Sequence, residues 1–313
     1  FAEWDSMETI NAVQYALSLN HNVTPIEADC NCFEKIKNTS PDIVFNITEG
    51  LFGISREAQI PAILELLNIP YTGSDPLTLA LTLDKSRTKE ILSYHNIPNA
   101  RFQLFNSLED LKSFSLDFPV IIKPIAEGSG KGIFSTSIVN DFNSLKIGVE
   151  KILTAYNQPV LVEEFLNGRE FTVAILGNGQ DAHALPVIEI DFSKLPGDVA
   201  PIYSFEAKWI LDTRENQLDI FSCPADIPAD LEKQIVDIAL RTYHTLRCRD
   251  WSRIDMRMDK NNIPNIIEIN PLPGILPDPR DNSCFPKAAR TAGLDFNTMI
   301  NEVLNIARKR YSI

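Results

Sequence analysis

The chain has 313 residues, 44% apolar and 23% charged, a composition that supports a real core and excludes disorder, collagen and coiled coil as readings of the whole chain. It carries 42 acidic against 29 basic residues, a net charge of −13, so nucleic acid is not an expected partner, because phosphate backbones are bound by basic surfaces. No apolar run approaches the roughly 20 residues that span a bilayer, and the five cysteines form neither a disulfide framework nor a zinc spacing, so a reduced, cytoplasmic protein is expected.

Met7–Leu19 has helical spacing, with Ile10, Val13 and Leu17 on one side. Strands are expected at 22–26 and 42–47. A helix is expected from Ser55 through Ile60, Ile63, Leu64 and Leu67, closed by Asn68-Ile69-Pro70. This alternation predicts a parallel, helix-covered sheet of the α/β class. A helix at 84–95 is followed by strands at 119–124, 132–139 and 160–166, with a helix at 141–156 between the last two. Strands at 169–176 and 182–191 lead into a long loop at 193–217. An amphipathic helix at 231–248, a hairpin and a closing helix at 297–310 complete the chain.

The hairpin is the most informative element. Strand alternation along 251–259 places Arg253, Asp255 and Arg257 on one face and Ile254, Met256 and Met258 on the other. Along 265–270, Glu268 and Asn270 share a face while Ile267 and Ile269 point to the core. Pairing symmetric about Asn261 and Asn262 sets Asp255 opposite Glu268. Opposed carboxylates repel unless something positive neutralises them. With Asn270 they offer oxygen ligands that suit Mg²⁺ beside a nucleotide's phosphates. The alternative is a solvated polar face with Arg253 and Arg257 as counter-ions.

Lys123-Pro-Ile-Ala-Glu-Gly-Ser-Gly-Lys-Gly132 lies between two predicted strands. Its glycines let backbone N–H groups approach a phosphate closely. Lys123 ends an apolar strand, where an amine must find an anion or escape to water. The spacing is not that of a P-loop, and a flexible turn is the alternative. The strand at 160–166 ends in acidic residues and is followed by Glu170. Strand-end backbone groups can pair with adenine and a carboxylate can accept from ribose hydroxyls; a charged edge strand is the alternative.

In order, these pieces are a lysine-bearing helix, a strand-Lys-glycine loop, a Glu-Glu strand, Arg253-x-Asp255, and Glu268-x-Asn270-Pro-x-Pro-Gly274. The order resembles the ATP-grasp superfamily and, more closely, the D-alanine–D-alanine ligase family. Asp42-Ile-Val-Phe-Asn-Ile47, Ile69-Pro-Tyr-Thr-Gly-Ser74, Asp84-Lys85 and Tyr203-Ser-Phe-Glu-Ala-Lys-Trp209 extend the resemblance over nearly the whole chain. It implies an N-terminal α/β domain at 1–74, a central grasp subdomain at 75–162 and a C-terminal subdomain at 163–313. It also implies that Lys85, Lys123 and Lys208 bind the phosphates of ATP, with Ser129 over the γ-phosphate. Glu163, Phe165 and Leu166 match the adenine hinge and Glu170 the ribose carboxylate. Asp255, Glu268 and Asn270 match ligands of Mg²⁺, with Mn²⁺ as an alternative ion. Arg253 and the backbone of Gly274 match the oxyanion site. The implied reaction converts a carboxylate to an acyl phosphate that an amine then attacks. The implied partners are small amino-acid substrates, with a homodimer left open.

Departures from the family fall on the substrate side. Glu49-Gly50 stands where the family has His-Gly, Gly53-Ile-Ser-Arg56 replaces Gly-Glu-Asp-Gly, and Trp209 replaces a tyrosine. The segment from Ile275 to Asn282 is lengthened before Ser283, and the glutamate that holds the first amino acid's ammonium is not visible, with Glu3 or Asp5 nearby in sequence. Glu49 is expected to favour an amine-bearing group on the donor, Trp209 to crowd the substrate, and Arg280 and Ser283 to border the acceptor. Arg280 would clamp an acceptor carboxylate, unless it pairs with Asp278 or Asp281. A ligase for amino acids other than two D-alanines is the leading expectation. An authentic D-alanine–D-alanine ligase and a nucleotide-binding module without catalysis compete with it.

Overall fold

Helix α1 (Met7–Ser18) begins where the Ser6 side chain accepts the Thr9 amide, and α2 (Cys32–Thr39) ends on the left-handed Ser40. These come from a computed structural model that describes residues 4–197 and 199–313. A 3₁₀ turn at Arg56–Ala58 leads into α3 (Gln59–Leu66). Among the described residues, neither expected strand of this region is a ladder. Segment 22–26 has no strand partner, and 42–47 makes one parallel bridge, Val44 to Tyr71, through Val44 N to Pro70 O at 2.8 Å and Thr72 N to Val44 O at 2.9 Å. Extended, β-prone sequence becomes a strand only beside a neighbour that takes its backbone groups.

Two helices follow that share one hinge residue. Helix α4 (Pro76–Leu83), not foreseen from the sequence, is capped by Asp75 with proline at its first position. Asp84 ends α4 and caps α5 (Lys85–Tyr94), accepting from the Ser86 and Arg87 amides.

Strands β1 (Phe102–Phe105), β2 (Val120–Pro124), β3 (Ile138–Val139) and β4 (Val160–Glu164) form a sheet in the order β1-β4-β2-β3. It is covered by α6 (Phe142–Tyr156) through Leu145, Val149 and Ile152. The strand expected at 132–139 keeps only its last two residues. The Phe134 amide donates to the Ser137 hydroxyl and 135–137 make a 3₁₀ turn, a local bond that competes with the ladder.

The second sheet contains β5 (Glu170–Leu176), β6 (His183–Ala184), β7 (Ile188–Ile190), β8 (Phe221–Ser222), β9 (Trp251–Met258) and β10 (Pro264–Asn270). Its order is β10-β9-β5-β7-β8, with β6 on β5. The strand expected at 182–191 is thus split in two, with Pro186, which has no amide to donate, at the break. Helix α7 (Ala229–Thr245) buries Ile235 and Ala239 in one core with Phe171, Val173, Ile254 and Met256. Helices α8 (Cys284–Thr291) and α9 (Phe296–Tyr311) share another core with α1, Ala174 and Trp251. No helix among the described residues is long and apolar enough to cross a membrane.

The hairpin register sets Asp255 against Glu268, by a route the sequence did not show. Met256 pairs with Ile266 and Arg257 with Asn265, and a bulge between Ile266 and Glu268 then advances β10 by one residue. Ile267, expected in the core, is instead half-buried and faces the cleft, while Ile266 takes the core place. Two residues opposing one re-aim the bulged side chains, which brings Glu268 onto the same wall as Asp255.

Candidate active site

The two sheets and the N-terminal segment enclose one cleft. Of the residues singled out in the sequence, Lys85, Lys123, Ser129, Glu163, Phe165, Leu166, Glu170, Lys208, Arg253, Asp255, Glu268, Asn270 and Gly274 line it, as do Glu49, Trp209 and Ser283. Among the described residues Arg280 does not. Its guanidinium is 67% exposed and lies 2.6 Å from Asp278 Oδ2, while its own amide donates to Asp278 Oδ1. The two-residue turn supplies the anion that the acceptor was expected to supply. Arg214 makes the longer-range link instead, bidentate to Asp281 at 2.7 Å and reaching Glu8 at 2.8 Å.

The β9–β10 wall is a charge network. Asp255 accepts from Thr172 Oγ1 at 2.6 Å and from Arg253 at 3.0 and 2.8 Å, and Asn270 Nδ2 donates to it at 3.2 Å. Glu268 pairs with Lys85 at 2.8 Å, and the same ammonium donates to the Glu127 carbonyl at 2.6 Å. Burial pushes the Glu268 carboxyl up, but Lys85 and the neighbouring cations outweigh it and hold it below the usual range. Thr172 was missed in the sequence, although the two-residue period from Glu170 places it on the same face.

Glu170 and Arg257 form the next layer. Arg257 Nη1 lies 3.3 Å from Glu170, and the guanidinium stacks 5.0 Å from the ring centres of both Phe165 and Phe192. Burial dominates here and lifts the Glu170 carboxyl to about 7 despite the arginine. On β4, buried Glu163 lies 2.9 Å from Lys123 and 3.4 Å from Lys89.

The glycine loop and a helical turn at Ala207–Leu211, which interrupts the long loop expected at 193–217, close over this floor. Ser129 holds φ at +52 and Gly130 at +74, and a Cβ on Gly130 would lie 3.5 Å from the Phe205 amide. Trp209 Nε1 donates to the Ser129 carbonyl at 3.1 Å, with the Lys208 ammonium 5.4 Å from the indole centre. Burial and the nearby Arg253 push the Lys208 ammonium down from its ordinary value. Ser283 Oγ accepts the Leu276 amide and donates to the Gly274 carbonyl, fixing the lengthened segment across its base. Asp5, Glu49 and Glu57 line the N-terminal side, and burial lifts Asp5 to about 6. Glu3 lies outside the described residues.

The comparisons with known proteins agree with this architecture. The fold matches that of the D-alanine–D-alanine ligase from Bacillus anthracis, solved in complex with ATP, with a TM-score of 0.74 at 23% identity over 99% of this chain and 96% of that one. The fold is therefore that of the ATP-grasp enzymes. Residues 91–305 match the family described as the D-ala D-ala ligase C-terminus. Two relatives are a D-alanine–D-alanine ligase from Bordetella petrii, 34% identical over 85% of this chain and 76% of its own, and the uncharacterised protein y4sG from Sinorhizobium fredii, 35% identical over 86% and 75%. The chain belongs to the D-alanine–D-alanine ligase family and is an ATP-dependent ligase.

Proposed function

We propose that the chain joins two amino acids or amino-acid-like substrates through an acyl phosphate, with at least one substrate larger or more charged than D-alanine. The observation that carries this reading is the composition of the cleft. Its ATP side gathers Lys85, Lys123, Ser129, Glu163, Glu170 and Lys208, while its N-terminal side places Asp5, Glu49 and Glu57 along the wall. A donor with a second amine, beyond the α-ammonium that D-alanine also carries, would bring an added positive charge to this acidic wall. Trp209, latched over the glycine loop, narrows the roof above it.

In this reading the sheet of β1–β4 and the sheet of β5–β10 clasp the nucleotide, with divisions near residues 75 and 163. Glu163, Phe165 and Leu166 receive adenine and Glu170 the ribose. Lys85, Lys123, Lys208 and the amides around Ser129 receive the phosphates. Among the described residues no group of three or more His, Cys, Asp or Glu gathers as a metal site, but two carboxylates and the Asn270 amide form an oxygen donor set that a nucleotide's phosphates can complete. Asp255, Glu268 and Asn270 would hold Mg²⁺, which supplies charge neutralisation on the transferring phosphoryl group. The lysines place the γ-phosphate against the donor carboxylate. Arg253 and the Gly274 backbone stabilise the oxyanion when the acceptor amine attacks. The closed loop excludes water that would hydrolyse the acyl phosphate. No transmembrane helix and no disulfide is needed, consistent with a cytoplasmic setting.

The test is a screen of amino-acid pairs for phosphate release with Mg²⁺ and ATP. Release that is greatest with a pair other than two D-alanines supports the reading, and a clear optimum at two D-alanines returns the chain to cell-wall synthesis. Across such pairs Arg280→Ala should leave the preference and the acceptor KM unchanged, because that guanidinium is tied to Asp278 in solvent. A shift in acceptor KM of more than about threefold, near 0.7 kcal/mol, would bring Arg280 back to the substrate.

Glu170 gives a pH signature. Its ionised form accepts two ribose hydroxyls, and the neutral form populates below about 7. The KM for ATP should rise as the pH falls from about 8 to about 6, and Glu170→Gln should flatten that slope. A wild-type ATP KM that is constant across this range contradicts the assignment.

A further inference from the structure

Lys89 takes part in none of these steps, yet it is one of the largest fully buried side chains of the protein, at 2% exposure. It stands one helical turn beyond Lys85 on α5, on the same face. Lys85 reaches the cleft wall, whereas Lys89 lies behind it, its ammonium 3.4 Å from Glu163 Oε2 and 5.9 Å from the Phe102 ring centre. Among the described residues that ammonium makes no hydrogen bond.

Two buried ammoniums thus share one buried carboxylate. Lys123 lies 2.9 Å from Glu163 Oε1, off the direction of a hydrogen bond, and Lys89 faces Oε2. Lys85 does not share this anion, because it is paired with Glu268. A lone buried cation is costly, and an apolar side chain of the same length would fill the space more cheaply. The surplus charge becomes favourable once a polyanion enters the cleft and draws Lys123 to itself. Glu163 then needs a counter-ion that cannot follow the phosphates, and only a lysine outside the cleft meets that condition.

Resting on the reading of this cleft as the ATP site, we propose that Lys89 is a positioning residue that stays with Glu163 when Lys123 turns to the phosphates, keeping the carboxylate aimed at the amino group of adenine. Lys89 therefore sets the preference for adenine without touching the nucleotide.

The experiment is equilibrium binding of ATP and of inosine triphosphate to the full chain with Mg²⁺, alongside a melting temperature for each variant. Inosine triphosphate has a carbonyl where ATP has the amino group, so a carboxylate at this point repels it. The wild type should prefer ATP by about tenfold or more, the scale of one hydrogen bond to a charged group. Lys89→Met should weaken ATP by about tenfold and bring the two nucleotides within about threefold of each other. Lys89→Arg should restore most of the preference. On a Glu163→Gln background, Lys89→Met should change nothing further in the ratio. A purely structural role would lower the melting temperature and leave the ratio alone, so a folded Lys89→Met with the wild-type ratio overturns the proposal. If Lys89→Met alone does not fold, the Glu163→Gln single and double variants decide, and a ratio that differs between them overturns it equally. A wild type that binds both nucleotides alike removes Glu163 from the adenine site, and that failure belongs to the reading beneath.

Discussion

Glu268→Gln should leave the chain folded and lower turnover by about a hundredfold or more, beyond the ten- to hundredfold typical when only a group supporting a metal ligand is lost. The substitution preserves size, and Lys85 keeps the Glu127 carbonyl as an acceptor. It removes one of two anionic oxygen donors, so the loss should be partly recovered at high Mg²⁺. Turnover titrated against Mg²⁺ reads this directly. A Glu268→Gln variant that turns over normally at limiting Mg²⁺ would make the β9–β10 face a solvated ion-pair surface and no more.

Arg253→Ala should lower kcat by roughly a hundred- to a thousandfold, the range seen when one oxyanion donor is removed. ATP binding should be nearly unchanged. Asp255 loses its bidentate partner but keeps the Thr172 hydroxyl and the Asn270 amide. The separation of the two constants is the informative result. A rise in the ATP KM with kcat preserved would assign Arg253 to nucleotide binding and leave the oxyanion without its donor.

The sequence made the chemistry of the grasp legible because that chemistry sits on strands with strict alternation. Arg253, Asp255 and Arg257 share a face for the same reason that Ile254, Met256 and Met258 share a core. The Ile267 bulge was not legible, since a one-residue register shift leaves no mark in a hydrophobic pattern this short. Helix α4 was overlooked although Asp75-Pro76 is a sound start signal, because its Pro-Leu-Thr-Leu-Ala-Leu-Thr-Leu run has no polar face to set its period. Lys89 was visible as the i+4 partner of Lys85, but its burial against a carboxylate 74 positions away was not. The sequence left Arg280 open between the acceptor and a pairing with Asp278 or Asp281, because two prolines and a guanidinium suit a wall, while the local Asp278 turn decides which way the guanidinium points. Long-range partners and local turn bonds are tertiary facts that spacing alone does not carry.

The central claim is that ATP activates a substrate carboxylate as an acyl phosphate. It is tested most directly by transfer of label from donor to phosphate. The full chain would be incubated with Mg²⁺, ATP and amino acids whose carboxylates carry ¹⁸O, and the released phosphate analysed by mass. Phosphate release should depend on the amino acids, and the phosphate should carry one ¹⁸O atom. Release that proceeds without amino acids and yields unlabelled phosphate would contradict it, leaving a nucleotide hydrolase or a binding module in place of a ligase.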